Sequence, residues 1–160
     1  MQIAYAAIGR AVFYSQLFET ALGPIYEFWR MNTEPGYFDK TQGQLSVGVF
    51  KTPTMNMVKL LSAGGNIAPD FAERITRYLD DRHTLIHRWV QLHGWPDDQE
   101  EAGFIPIIEL ATRVESEAKI LTRFITGYIL NHASPEFTHQ NPAEYSKRME
   151  LLFHQAHLEI

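Results

Sequence analysis

The chain has 160 residues, 45% of them hydrophobic, with a formal net charge of −5 and no cysteine. This is the size of one domain, long enough to bury roughly 68–70% of its unfolded surface, and the absence of cysteine excludes disulfides and thiolate metal sites. The acidic balance provides no basic footprint for extensive nonspecific binding of nucleic acid, although it is compatible with a small local site.

The sequence also lacks the usual signals of export and membrane insertion. The first residues, MQIAYAAIGRAVF, include neither a basic segment nor a small-residue cleavage site, and no apolar run approaches the roughly 18 residues of a transmembrane helix. A chain without cysteine also fits a reducing compartment. We therefore expect a cytoplasmic protein that does not insert into a membrane.

The first predicted helix runs from Ile3 to about Met31, because apolar residues recur there at helical spacing. Its Gly23-Pro24 pair predicts a kink or a break near Leu22, since proline removes one helical hydrogen bond and clashes with the preceding turn. A loop is expected from Asn32 to Asp39, because this segment is rich in asparagine, proline and glycine.

Two short helices are predicted next. Thr41 can cap a helix that extends through Phe50. Pro53 then precedes a helix from Thr54 to Ser62, which the glycines at Gly64-Gly65 end.

The segment from Pro69 to Trp95 is predicted to form one long helix around which the bundle is organised. Proline suits a first helical turn, because the N–H that it lacks would be unpaired there anyway, and Gly94 followed by Pro96 provides a stop. Its apolar residues recur at helical spacing: Phe71, Ile75, Tyr78, Leu79, Leu85, Ile86 and Trp89.

Two further helices complete the predicted fold. The acidic residues from Asp97 to Glu101 suit the start of a helix that ends near Asn131, and Asn141-Pro142 suits the start of a last helix, Ala143 to about His157. Since no segment alternates with period two, the prediction is an all-α bundle of about four main helices plus short ones. We expect one domain over residues 1–160, with a core formed by the first helix, the Pro69 helix and the helix after Asp97.

An arginine occupies the middle of the apolar face of the Pro69 helix. Arg82 lies four residues after Tyr78 and four before Ile86. Burying an unpaired guanidinium is costly, so this position requires an anion, a partner carboxylate or a protein interface. Gln16 and Glu19 lie among large apolar residues of the first helix. Either they face water, or they pair with Arg82 or with an interface partner.

Two histidines follow this arginine. His83 and His87 are one helical turn apart and so are expected on one face. Arg82 and His87 would lie about 140° apart around an α-helix axis, so they cannot simply touch. They could converge on one phosphate if a second helix, or a second copy of this one, closed the site.

The stretch Arg82-His83-Thr84-Leu85-Ile86-His87, late in a long helix of a small helical protein, resembles the Arg-x4-His motif of the HEPN superfamily. Two upstream stretches are similar to bacterial members of that superfamily. One is Ser15-Gln16-Leu17-Phe18-Glu19, and the other is Thr41-Gln42-Gly43-Gln44-Leu45, which resembles a T-L-G-Q-L element and departs from it at Gln42. The resemblance covers about residues 5–130.

The resemblance implies a HEPN-like domain and a metal-independent endoribonuclease of the toxin or phage-defence type, although the superfamily also includes inactive members. Arg82 and His87 would be catalytic, with His83 as a polar helper, in a composite site between the two protomers of a homodimer. The implied partners are RNA and an antitoxin or nucleotidyltransferase, and no cofactor is implied. The residue types suit this chemistry, because histidine exchanges protons near neutral pH and arginine binds phosphate through two charge-assisted hydrogen bonds.

Two other interpretations remain open. In the first, the protein is a non-catalytic helical dimer that acts as a binding or regulatory module, and Arg82 pairs with Asp80, Asp81, Glu19 or an acid of a partner. In the second, His83 and His87 bind a metal ion, since their spacing is that of a metal-binding helix pair. The metal interpretation is weaker because no glutamate lies between the histidines.

Overall fold

The computed structural model describes residues 2–45, 48, 51–97, 101–133 and 143, and the regular elements of this part of the chain are all helical. The α-helices are α1 (Gln2–Thr33), α2 (Tyr37–Thr41), α3 (Thr54–Ala63), α4 (Pro69–His83), α5 (Trp89–His93) and α6 (Ile105–Ala133). A π-helical turn (Thr84–Arg88) joins α4 to α5, and a 3₁₀ turn (Glu101–Phe104) precedes α6. The prediction of an all-α fold is confirmed.

The core lies where α1, α4 and α6 meet, as predicted, and the pairing of α1 with α6 is the most extensive contact between helices. The N-terminal half of α1 presents small residues to this core, namely Ala4, Ala7 and Ala11, and its middle presents Phe18 and Leu22. Small side chains allow two helices to pack closely, while each fully buried large side chain contributes about 1.5–3 kcal/mol. The arrangement fixes one face of α4 against the bundle.

Helix α1 continues through Pro24, so of the two predicted outcomes, a kink or a break, the break is wrong. Leu22 and Gly23 are buried before the proline, and Tyr26 and Glu27 are buried after it. A proline costs the helix one backbone hydrogen bond, and packing on both sides of Pro24 compensates for that loss.

The structure differs from the prediction after α1. Contrary to the prediction, no helix begins at Thr41, since Thr41 is the last residue of α2 and its hydroxyl donates back to the carbonyl of Tyr37 at 2.9 Å. Gln42 and Gly43 adopt left-handed conformations, with φ of 53° and 71°, which no α-helix can continue through. The loop expected from Asn32 to Asp39 is correspondingly shorter, because α1 and α2 occupy both of its ends.

Other helix boundaries confirm or correct the prediction. Helix α3 begins after Pro53 and ends before Gly64, as predicted. Helix α6 begins only at Ile105, and Asp97 belongs to no helix, so the predicted start at the acidic run is wrong. Pro106 fits there because it falls in the first turn of α6. Apart from Ala143, the predicted last helix lies outside the described residues.

Two ion pairs hold α4 against α6. Arg74 of α4 binds both carboxylate oxygens of Glu117 on α6, the second through Nη2 at 3.0 Å. One helix turn before the π turn, Asp81 accepts from Arg113 Nε at 2.7 Å and from its Nη2 at 3.2 Å. These forked contacts set the rotation of α4 about its axis. Within the described residues, no helix is both long and apolar enough to cross a bilayer.

Candidate functional site

Arg82 finds its partner on α1. Its Nη2 lies 2.8 Å from Oε1 of Glu19, and the two side chains are 25% and 31% exposed. Arg82, on the apolar face of α4, therefore has a partner carboxylate within its own chain. Glu19 is one of the candidate partners predicted from the sequence. Gln16, the other polar residue considered on α1, is exposed.

The Arg82 pair leaves a hydrogen-bond donor unused. Arg82 Nε is enclosed by protein and has no hydrogen-bond acceptor among the described residues. An enclosed donor without an acceptor costs about 1–3 kcal/mol. Glu19 engages Nη2 only, so the guanidinium keeps other N–H groups with which an anion could be held.

The π-helical turn changes the relation between Arg82 and His87. It spans Thr84–Arg88, so it lies within the motif itself. In a π-helix each hydrogen bond joins residues five positions apart, and residues i and i+5 therefore lie closer to one face than they do in an α-helix. The expectation of about 140° between Arg82 and His87 assumed uninterrupted α-helix. The structure thus brings them nearer to a common face than the sequence indicated.

The two histidines form an exposed pair. The ring centroids of His83 and His87 are 5.1 Å apart with the planes tilted by 46°, and both residues are exposed. This confirms the prediction that they share a face. Exposure leaves both imidazoles accessible to a bound molecule.

A polar cleft of about 520 Å³ lies beside Arg82 and His83. It has three sides: Leu79, Asp80, Arg82 and His83 of α4, Glu19 of α1, and the Lys51–Met55 segment at the start of α3. Its volume falls within the range of about 300–1,000 Å³ that is typical of ligand sites. His87 is not among the lining residues, so it lies outside the cleft, beside His83.

The third side of this cleft was not predicted. Lys51, Thr52 and Thr54 contribute a cation and two hydroxyls, and they reach Arg82 through the packing of α3 on α4. No sequence motif connects these residues to Arg82, because they lie about thirty positions away. The apolar residues of α3 that bury against the bundle, Met57, Val58 and Leu61, were the one available signal that this segment lies close to α4.

Tyr78 lies one turn before Arg82 and packs edge-on against Phe18, with ring centroids 5.1 Å apart. Burial raises the pKa of the Tyr78 hydroxyl to about 12. Ser15 and the charge of Arg82 act in the opposite direction on this pKa, while the charge of Glu19 adds to the increase. The hydroxyl is therefore neutral at physiological pH and is sensitive to the Arg82–Glu19 pair.

The described residues provide no third ligand for a metal ion at His83 and His87. His83 and Asp80 both line the cleft and His87 lies next to His83. Across the parts of the chain that the structure describes, however, no three residues of histidine, aspartate or glutamate are grouped as metal ligands.

The chain was compared with protein-family models, curated proteins and solved structures, and none of them matches it. The chemistry of the cleft is accordingly argued from its own residues.

Proposed function

We propose that this HEPN-like protein is a metal-independent endoribonuclease whose active site is completed between two copies of the chain. The supporting observation is that Arg82 and His83 line one cleft and that His87 lies beside His83, just outside it. One phosphate-binding group and proton-transferring groups beside it are the minimum that cleavage of RNA without a metal requires.

In this proposal His87 removes the proton of a ribose 2′-hydroxyl, whose oxygen then attacks the adjacent phosphorus. The new bond joins O2′ to phosphorus while the bond from phosphorus to O5′ breaks, which yields a 2′,3′-cyclic phosphate and a 5′-hydroxyl. Arg82 stabilises the charge that develops on the phosphate oxygens. The departing O5′ needs a proton, and His83 or a histidine of the second copy supplies it.

Glu19 requires a rearrangement in this proposal. Its carboxylate holds Arg82 Nη2 at 2.8 Å, so a phosphate must share or displace it. The exchange involves a single ion pair, because the carboxylate accepts from Nη2 only. The pair is partly exposed, so breaking it costs about 1 kcal/mol or less.

The test is cleavage of a single-stranded RNA by purified protein in the presence of a chelator. The proposal predicts cleavage that EDTA does not abolish, together with a loss of roughly 100-fold or more in both Arg82→Ala and His87→Ala. His93→Ala is the matched control, since His93 is also exposed and lies one helix farther on, outside the cleft. Folded Arg82→Ala and His87→Ala proteins that cleave as fast as the unaltered protein would refute the proposal.

The second candidate is a non-catalytic helical dimer that acts as a binding or regulatory module. One specific observation favours it, namely that Arg82 already has a carboxylate partner within its own chain. In that case Arg82→Ala and Glu19→Ala would each slightly lower the free energy of unfolding. No RNA would be cleaved at any concentration of the protein. The same assay therefore separates the two candidates.

A further inference from the structure

Lys51, at the start of the α3 side, lines the same cleft as Arg82. It is exposed, and within the described part of the chain it takes part in no ion pair, although Asp80 lines the cleft as well. Arg82, by contrast, is held by Glu19. The cleft therefore contains one cation that is neutralised by a carboxylate and one that is not.

The remaining lining groups suit a phosphate. Thr52 and Thr54 contribute hydroxyls that can donate to phosphate oxygens, and His83 adds a third donor on the α4 side. The acids Glu19 and Asp80 make the lining nearly neutral overall. Such a lining suits the single charge of a phosphodiester better than the two charges of a free phosphate monoester.

The position of His87 distinguishes two subsites. His87 lies beside His83 but does not line the cleft, whereas Lys51 does. A phosphate attacked with the help of His87 would sit at the mouth of the cleft. The interior, which at about 520 Å³ has room for a nucleotide, would then hold the next unit of the same strand.

We infer that Lys51, together with Thr52 and Thr54, binds the backbone phosphate of an RNA strand next to the phosphate that is cleaved. The inference rests on the proposed nuclease function for its choice of RNA, but binding and cleavage can be measured separately. Lys51 is a binding residue in this arrangement, and Arg82 and His87 act on the reacting atoms.

The experiment uses a 2′-O-methyl oligonucleotide, which has no free 2′-hydroxyl and therefore binds without being cleaved. Its dissociation constant is measured by fluorescence anisotropy over a series of salt concentrations. Lys51→Ala is expected to weaken binding by roughly 3- to 10-fold at low salt. It is also expected to reduce the slope of log K against log salt by about 0.7, the value for one phosphate contact on a single strand.

Two variants control this experiment. Lys59→Ala removes an exposed lysine from α3 that does not line the cleft, so it leaves both affinity and salt slope close to those of the unaltered protein. Lys51→Arg keeps the charge and restores most of the affinity. Because Lys51 is exposed and precedes α3, its replacement leaves the core residues in place, and circular dichroism verifies folding.

The outcomes separate this inference from the proposed function. If Lys51→Ala weakens binding but no protein cleaves unmodified RNA, the binding inference stands and the nuclease proposal fails. If the oligonucleotide does not bind, or Lys51→Ala and Lys59→Ala behave alike, the inference is overturned. Inorganic phosphate is tested as a competitor, and binding of phosphate without binding of the oligonucleotide would overturn the assignment to RNA.

Discussion

Arg30 and Arg82 both form ion pairs with carboxylates, yet the number of their contacts differs greatly. Arg30 donates from Nε and Nη2 to the two oxygens of Glu34, each at 2.8 Å, and from Nη1 to Tyr37 Oη at 2.9 Å and to Glu27 at 3.5 Å. Its guanidinium also lies 3.8 Å from the ring centroid of Tyr37. Arg82 has one contact, with Glu19, and an enclosed Nε that has no acceptor among the described residues.

The comparison shows how a structural arginine differs from one available to a ligand. The contacts of Arg30 engage all three nitrogens and satisfy the fully buried carboxylate of Glu27, so an added anion would gain little. The site also fixes α2 against α1 through Tyr37. Arg82 lines an open cleft and has a single carboxylate partner, Glu19. We therefore assign stability to the first site and binding to the second.

The largest expected effect is on folding. Arg30→Ala should lower the free energy of unfolding by about 3 kcal/mol, because it removes a cation that lies 3.5 Å from the buried Glu27 carboxylate. In a protein of this size that corresponds to a decrease of roughly 6–12 °C in Tm. Arg82→Ala should cost about 1 kcal/mol or less, since Glu19 remains partly hydrated. Thermal unfolding followed by circular dichroism measures both, and equal losses would contradict the assignment.

A smaller effect is expected on binding. Glu19→Gln removes the charge that competes for Arg82, so affinity for the 2′-O-methyl oligonucleotide should rise by roughly 3- to 5-fold. Glu34→Gln, which changes the equivalent carboxylate beside Arg30, should leave this affinity unchanged. An unchanged affinity in Glu19→Gln would mean that Arg82 takes no part in binding. The non-catalytic interpretation of the Arg82–Glu19 pair would then be favoured.

The last expected effect is the alkaline pH dependence of stability, reported by Tyr78. Below pH 10 this hydroxyl is protonated in both the folded and the unfolded chain. Between pH 10 and its folded pKa of about 12, the unfolded chain loses the proton and the folded chain keeps it, so the free energy of unfolding falls as the pH rises.

Between pH 9 and pH 11, the free energy of unfolding should therefore fall by about 1.4 kcal/mol less in Tyr78→Phe than in the unaltered protein. Urea unfolding at the two pH values measures the difference, because the other titrating groups are common to both proteins. Parallel pH dependence would show that burial does not shift the pKa of this hydroxyl.

The sequence was informative wherever one helix face determined the outcome. The period of apolar residues predicted α1, α3 and α4, and the position of Arg82 on an apolar face predicted that it needs a partner such as Glu19. It was uninformative about the cleft, because Lys51 and Arg82 are brought together by tertiary packing alone. The sequence prediction was also wrong after α1, where Gln42 adopts a left-handed conformation. Few residues other than glycine adopt this conformation, and composition does not reveal it.

The π turn at Thr84–Arg88 has a consequence for chain length. It accommodates one residue more than an α turn does, so deleting one of its residues could restore continuous α-helix while Leu79 and Trp89 stay packed. A deletion elsewhere in α4 would instead rotate all later side chains by about 100°. The shortened helix would keep the fold but separate Arg82 and His87 by four positions rather than five. This segment therefore allows the spacing of the motif to be altered independently of the stability of the bundle.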